Sequence, residues 1–234
     1  MEKSHLIIGK GEVGKALYNV LKKHLGGVII SIIDKNEPIK NHFNVLHICY
    51  PYSEKFIKIT KNYIKTYKPE LVIIHSTIKM GTTEKIGRIA VHSPIRGGHS
   101  YLEKSIITFV KYFAGSKAKQ ASGIFSRFCQ IKCYKDPKIT ELAKLLCTTY
   151  YSWDIVFNKE VKKICDKEHL PFSEVYTEFN NSYNEGYEKL GKLEVIRPVL
   201  KFMKGKIGGH CIIPNCYFLN NKLTKFIINY NKKM

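Results

Sequence analysis

The chain has 234 residues and a formal net charge of +20, with 44% hydrophobic and 12% aromatic residues. That composition excludes a disordered chain, and no run of about 18 apolar residues is present to span a membrane. The lysines are scattered among many Ile, Asn and Tyr residues, a mixture that fits an AT-biased coding sequence as much as a selected basic face, and no segment reads as a nucleic-acid-binding motif.

Seven cysteines form an odd set without a regular framework, which points to reduced thiols in a cytoplasm. The start, Met1-Glu2-Lys3-Ser4-His5, lacks the charged-then-apolar layout of a signal peptide. His5-Leu6-Ile7-Ile8 predicts a short strand, and Gly9-Lys10-Gly11-Glu12-Val13-Gly14 follows at once. Val13, Ala16, Leu17, Val20 and Leu21 then recur at helical spacing. Strand, Gly-x-Gly-x-x-Gly and helix in this order form a dinucleotide-binding context. Gly9 permits the tight turn, Gly11 lets a pyrophosphate approach the backbone, and Gly14 lets helix pack on strand. Glu12 and Val13 open the helix whose N-terminus faces the phosphates. A second strand, Val28 to Ile33, ends at Asp34, which lies 20 residues past Gly14. An acid at that distance grips an adenosine ribose and favours NAD over NADP. A purely structural Gly-rich turn is the plainer alternative.

The βα rhythm continues through a strand at Asn44–Cys49, a helix from Glu54 to Tyr67 and a strand at Leu71–Ile74. Gly81-Thr82-Thr83 caps a short helix before a strand at Ile89-Ala90-Val91. Ligands of open parallel sheets bind beyond the carboxyl ends of the strands, so Cys49-Tyr50-Pro51 and Ser76-Thr77 are expected to line the cofactor cleft. The polar loop His92-Ser93-Pro94-Ile95-Arg96-Gly97-Gly98-His99 stands at the next such end and faces a substrate. There Arg96 can clamp an anion or simply be solvated, and His99 is a second candidate. A further strand over Ile106 to Phe113 and a helix over Lys117 to Phe128 complete an α/β, Rossmann-like, doubly wound and mainly parallel sheet, placed at residues 1–135.

Pro137 marks a break, and residues 136–234 read as a smaller all-α domain. Ile139 to Asp166 has neither Gly nor Pro and carries a helical pattern; roughly 28 residues at 1.5 Å each give about 42 Å. Such a spine suits a homodimer interface. A helix from Pro171 to about Asn184 follows, and the stretch Glu178–Tyr187 is dense in amides and phenols. Asn180, Tyr183 and Asn184 can hydrogen-bond a polyhydroxylated ligand there, or form a wet helix end, with Arg197 a further substrate candidate. In Gly208-Gly209-His210-Cys211-Ile212-Ile213-Pro214-Asn215 a thiol sits beside an imidazole on flexible backbone, where a nucleophilic role is as open as that of an inert buried Cys. A final helix is predicted from Tyr217 to Tyr230. His210, Cys211 and Cys216 lack paired Cys-x-x-Cys clusters, so no metal is expected.

Taken together these residues resemble the nucleotide-sugar dehydrogenases, that is the UDP-glucose, GDP-mannose and UDP-N-acetylmannosamine 6-dehydrogenases of the 6-phosphogluconate-dehydrogenase-like superfamily. The resemblance runs through Gly9–Gly14, Ser76-Thr77, Gly81–Ile86, Ser93-Pro94, Glu141-Leu142-Ala143-Lys144-Leu145, Ile155 through Asn158 with Glu160, and Gly208-Gly209-His210-Cys211-Ile212. It implies NAD as cofactor, a sugar-like or small anionic substrate, Cys211 as nucleophile on an aldehyde intermediate, His210 beside the substrate and Lys144 as stabiliser of the oxyanion. Three departures stand out. Thr148 replaces an Asn, Asn215 replaces an Asp and so cannot act as a base, and Ile95 replaces a Glu. The chain continues for 23 residues after Cys211, too few for the family's C-terminal nucleotide-sugar domain, as expected of a truncated form. The resemblance thus implies an NAD-dependent oxidoreductase, with a two-electron dehydrogenase or reductase lacking a covalent step, or a non-catalytic NAD-binding regulatory module, as alternatives.

Overall fold

The apolar runs Ser4–Ile8, Val45–Ile48, Leu71–Ile74 and Ala90–His92 pair at the centre of one sheet and are buried along their whole length, as parallel strands require. The computed structural model describes residues 4–35, 37, 39–209 and 211–234, with His99 described by its backbone alone. In chain order the first unit carries β1 (Ser4–Ile8), α1 (Glu12–His24), β2 (Ile29–Ile33), β3 (Val45–Ile48), α2 (Phe56–Tyr67) and β4 (Leu71–Ile74). It continues with α3 (Thr82–Ile86), β5 (Ala90–His92), α4 (Leu102–Thr108), β6 (Lys111–Ala114), α5 (Ala118–Gly123) and β7 (Ile131–Tyr134). The strand order is β2-β1-β3-β4-β5-β6-β7. Strands β1 to β5 are parallel, β6 runs antiparallel to β5, and β7 is parallel to β6. Leu17 and Leu21 of α1, Ile106 of α4 and Phe125 after α5 pack one face with Ile7 and Ile73. Phe56 of α2 and Ile86 of α3 pack the other with Leu6, Ile8 and Ile74. The mainly parallel Rossmann-like sheet is as expected.

Three assignments differ, and one is the helix expected over Lys117 to Phe128, which as α5 ends at Gly123 and gives way to turns. The run Ile106–Phe113 is not a single strand: α4 ends at Thr108 and β6 begins at Lys111. Its β-branched residues look like a strand, but Leu102 and Ile106 are buried one helical turn apart while Ile107 and Phe109 are exposed. Strand β7 was not expected, because as an edge strand it exposes Lys132 and Cys133 and so lacks an apolar run.

The long helix α6 spans Pro137–Lys167, 31 residues, with Pro137 in its first turn, where a missing N–H costs nothing. A wide turn of helix at Ser173–Glu178 leads into α7 (Phe179–Lys189), and α8 (Ile212–Leu219) and α9 (Lys222–Lys232) follow. The expected single helix from Tyr217 to Tyr230 is therefore two. Asn220 adopts a left-handed conformation at φ 45, which Asn tolerates. Asn221 then caps α9 by accepting from the Thr224 amide at 2.9 Å. Its own amide donates to Thr224 Oγ1 at 2.9 Å, completing a capping box. Val156, Ile207, Cys216, Ile227 and Ile228 form a core here. Backbone proximity divides the chain into two compact units, Met1–Lys144 and Leu145–Met234. No helix among the described residues is long and apolar enough to cross a membrane.

A row of imidazoles crosses the sheet of the first unit. The Ser93 carbonyl can only accept, so His75 Nδ1–H donates to it at 2.9 Å. His75 Nε2 must then accept from His47 Nδ1–H at 3.0 Å, and His47 Nε2 from His5 Nδ1–H at 3.1 Å. One carbonyl thus fixes three tautomers. On the neighbouring strand His92 Nε2–H donates to the Ser76 carbonyl at 3.2 Å and Nδ1 accepts from Thr140 Oγ1 at 2.8 Å. Burial holds His47 and His75 well below the ordinary imidazole range, helped by the Lys111 ammonium, and pushes His92 down to about 3. Burial also lowers Lys111 to about 8.

Below about pH 6.5 the unfolded chain binds protons that these folded imidazoles refuse, so stability is lost as pH falls from 6.5 towards 3. The share of His92 alone is about 2 kcal/mol by about pH 5. Thermal melts from about pH 7.5 to 5 should show a falling Tm, and His92→Gln should reduce the slope. A Tm flat across that range rules out the neutral imidazole row.

Candidate active site

The dinucleotide loop is set by two glycines that tolerate no side chain. Gly9 has φ 113, and a Cβ there would come within 2.9 Å of the Cys49 carbonyl carbon and the Tyr50 nitrogen. A Cβ on Gly14 would stand 1.8 Å from the Gly9 carbonyl oxygen. Gly11 differs: a Cβ there would meet no atom within 4 Å. Gly11 is also the N-cap of α1 and supplies no side-chain cap to the first-turn amides. An uncapped helix start beneath open space suits an anion such as a pyrophosphate. The residues present therefore fit a dinucleotide. Beside the first turns of α1 a groove of about 430 Å³ opens between Glu12, Lys15 and Asn19 and the segment Ser100–Lys104. Asn19 Nδ2 donates to Glu103 Oε1 at 2.7 Å across it.

At the end of β2 Asp34 is exposed, and its Oδ1 accepts from the Lys35 amide at 2.8 Å. Glu37 accepts from the Asp34 amide at 3.2 Å and pairs with the Lys10 ammonium. The bond from Lys10 holds the Glu37 carboxyl below its ordinary value. This Lys10–Glu37 link ties the Gly loop to the end of β2; the sequence carries no periodic signal for it. At the ends of β3 and β4 the Ser76 hydroxyl donates to the Tyr50 carbonyl at 2.6 Å. Thr60 gives its proton to the Phe56 carbonyl at 2.8 Å, so the Tyr50 hydroxyl donates to Thr60 at 2.7 Å. Burial raises that phenol's pKa, and the side chain leans on α2 rather than standing free. Pro51 is exposed and Thr77 half-buried.

The start of α6 is anchored by a carboxylate that sequence reasoning quoted as a motif member without giving it a task. Glu141 is fully buried. Its Oε1 accepts from the Thr83 amide at 2.8 Å and the Thr83 hydroxyl at 2.7 Å, and its Oε2 accepts from the Gly81 amide. It caps α3 from a distance. One helical turn on, Lys144 Nζ donates to the Ile95 carbonyl at 2.8 Å, which brings the predicted lysine to the Ser93-Pro94-Ile95 loop. Arg96 on that loop is half-buried with its guanidinium 5.5 Å from the Phe109 and Tyr112 ring centres.

In the second unit Cys211, half-buried, is the N-cap residue of α8. Asn215, one turn later, is 3% exposed and donates from Nδ2 to Thr148 Oγ1 at 3.1 Å. The Thr148 hydroxyl in turn donates to the Leu145 carbonyl at 3.0 Å. Two of the three positions that depart from the resembled pattern are thus bonded to each other. Asn180 donates to the Tyr176 carbonyl at 2.6 Å. The Asn184 amide grips both backbone groups of Arg197, at 2.8 and 3.0 Å, while the Arg197 guanidinium stacks 3.6 Å over the Tyr183 ring. The amide-rich stretch therefore brings Tyr183, Asn184 and Arg197 together. His210 lies outside the described residues, and so does the side chain of His99. No group of three or more His, Cys, Asp or Glu among the described residues is arranged to hold a metal.

No protein-family model matches the chain. Over 169 residues it is 27% identical to a UDP-N-acetyl-D-mannosamine dehydrogenase of Methanococcus vannielii. That match covers 67% of this chain and 36% of the relative, so the chain spans little more than a third of the protein it resembles. Its fold matches a UDP-D-ManNAc dehydrogenase from Pyrococcus horikoshii at TM-score 0.76 and 19% identity, over 98% of this chain and 68% of that one. An NDP-N-acetyl-D-galactosaminuronic acid dehydrogenase from Methanosarcina mazei matches at TM-score 0.71 and 18% identity, over 98% and 66% of the two chains. A 3-hydroxyisobutyrate dehydrogenase of Mycobacterium tuberculosis matches at TM-score 0.71 and 13% identity, over the whole of this chain and 94% of that one. The chain has the fold these dehydrogenases share, and its sequence relative and structural neighbours include UDP-N-acetylmannosamine dehydrogenases and related nucleotide-sugar dehydrogenases.

Proposed function

We propose that this chain is an NAD-dependent oxidoreductase that oxidises an alcohol or aldehyde of a sugar-like substrate, with UDP-N-acetylmannosamine the first compound to test. The observation that carries the reading is the Gly9–Gly14 loop, closed by Gly9 and Gly14 and open at Gly11. Asp34 at the end of β2 would hold the adenosine ribose of NAD rather than a 2′-phosphate. When bound, NAD supplies the hydride acceptor. Ser76 and Tyr50 shape the strand ends of its cleft. Arg96, His99, Asn180, Tyr183, Asn184, Arg197 and His210 remain candidates for the substrate side.

Cys211 is the proposed nucleophile. Its thiol loses its proton to solvent, the sulfur forms a bond to the aldehyde carbon, and the carbonyl electron pair moves to oxygen, where the Lys144 ammonium steadies the developing charge. The α8 N-terminus, where Cys211 sits, favours negative charge through the helix dipole. Loss of hydride from the adduct leaves a thioester. Asn215 cannot deprotonate a water to hydrolyse it, since its amide nitrogen is a donor to Thr148. That observation favours a second reading, a two-electron dehydrogenase without a covalent step. Its support is a fold shared over 94% of a 3-hydroxyisobutyrate dehydrogenase.

The long helix supports a homodimer. Leu146, Tyr150, Trp153, Phe157 and Ile164 recur at alternating spacings of three, four and seven residues and are 40–60% exposed. A stripe at that spacing suits a helix partner. Cys49, Cys129, Cys133, Cys147, Cys165 and Cys216 carry no disulfide, which suits a reducing cytoplasm.

NAD at a hundredfold its Kd should stabilise the protein by about 2.7 kcal/mol, read as a rise in Tm. Gly11→Ala should keep the unliganded Tm and lose most of that rise. Gly14→Ala should instead lower the unliganded Tm, by about 1–3 kcal/mol of overpacking. Cys211→Ser should abolish NADH formation while preserving the NAD-induced rise; persistent turnover in that variant moves the assignment to the non-covalent reading. Sedimentation should give a dimer, and Phe157→Glu a monomer.

A further inference from the structure

Among the described residues, 196–209 form no helix or strand, yet they lead directly to Cys211. Backbone groups in such a segment need partners, and here side chains of three helices supply them. Asn184 of α7 holds Arg197. The Tyr176 hydroxyl accepts from the Leu200 amide at 3.1 Å, and Asn158 of α6 donates to the Leu200 carbonyl at 2.8 Å. Asn231 of α9 accepts from the Ile207 amide at 2.6 Å.

One partner stands apart from these neutral groups. Lys159 of α6 is 3% exposed, and its Nζ donates to the carbonyls of Met203 and Gly205, the latter at 2.8 Å. The Phe202 ring centre lies 5.4 Å from the same ammonium. Gly205 turns at φ 78 to present its carbonyl. An ammonium buried this deeply is costly unless its donors are met, and the partners that meet it are two loop carbonyls and a ring face. A methionine would fill the same volume but could not gather two carbonyls onto one point. We infer that Lys159 is a positioning residue: its ammonium sets the path of the loop that delivers Cys211 to the N-terminus of α8. The catalytic meaning of this rests on the reading of Cys211 as nucleophile; the loop geometry does not.

The test uses the full chain and two readouts that need no substrate. They are hydrogen exchange of the amides across 200–209 and the rate at which iodoacetamide alkylates Cys211, resolved by peptide mass spectrometry. In Lys159→Met the loop amides should exchange about tenfold or more faster, as loss of charge-assisted bonds predicts, with the amides of β1 unchanged. Cys211 should be alkylated faster by a similar factor. In Lys159→Ala, ethylammonium chloride should restore both rates, whereas tetramethylammonium, which cannot donate a hydrogen bond, should not. Wild-type exchange or alkylation in Lys159→Met, or equal rescue by the two cations, overturns the inference. Should Lys159→Met lose its helical circular dichroism, the two salts on Lys159→Ala decide. Turnover by Cys211→Ser would sink the nucleophile and leave this result standing.

Discussion

The contact on which the first unit depends is the approach of α1 to the turn that follows β1. Where Gly14 faces the Gly9 carbonyl there is no room for a methyl group. This closeness lets α1 lay Leu17 and Leu21 on the sheet beside Ile7. It also leaves the first-turn amides of α1 at the carboxyl end of the strands, next to a residue with open space in place of a side chain. Packing and the open start of α1 are therefore one geometric solution. A chain that relaxed the contact would lose core burial and the aim of the helix dipole together.

The same economy governs the polar groups in the interior. Glu141 carries a full carboxylate into the core, and its three donors all come from the start of α3. A bond to a charged group contributes about 1.5–3 kcal/mol, so three of them offset much of the desolvation of the carboxylate. The imidazole row works without net charge. Each ring donates one proton, His47 and His75 each accept another, and the direction is set at the Ser93 carbonyl. The imidazole row ends at the loop from Ser93 to Ile95, which His75 and Lys144 hold from two sides. Polar burial in this sheet is spent on fixing that loop.

Legibility in the sequence followed the physics of each element. Strands buried on both faces, such as Leu71–Ile74, announce themselves as apolar runs. The Gly-x-Gly-x-x-Gly loop announces itself because backbone freedom and close approach demand glycine. Edge strand β7 was silent, since half its residues face water. The break between α8 and α9 was readable in Asn220-Asn221, one residue able to turn left-handed and the next able to cap, but the apolar periodicity on either side masked it. Long-range pairs such as Lys10 with Glu37 and Asn215 with Thr148 have no local signature at all. They join residues 27 and 67 positions apart, and only the fold brings them within reach.

The Thr148–Asn215 pair also bears on what chemistry the helical unit can host. A carboxylate at position 215 would accept protons and change charge with pH; an amide does neither. The Thr148 proton is committed to the Leu145 carbonyl, so its oxygen is left to receive the amide. The pair is thus satisfied and neutral in a place that is 3% exposed at Asn215. Activating a water there would require breaking a buried hydrogen bond and supplying a base from elsewhere, a cost of about 1–3 kcal/mol before any chemistry begins. The buried pair therefore leaves position 215 with no group of its own that can take a proton from water.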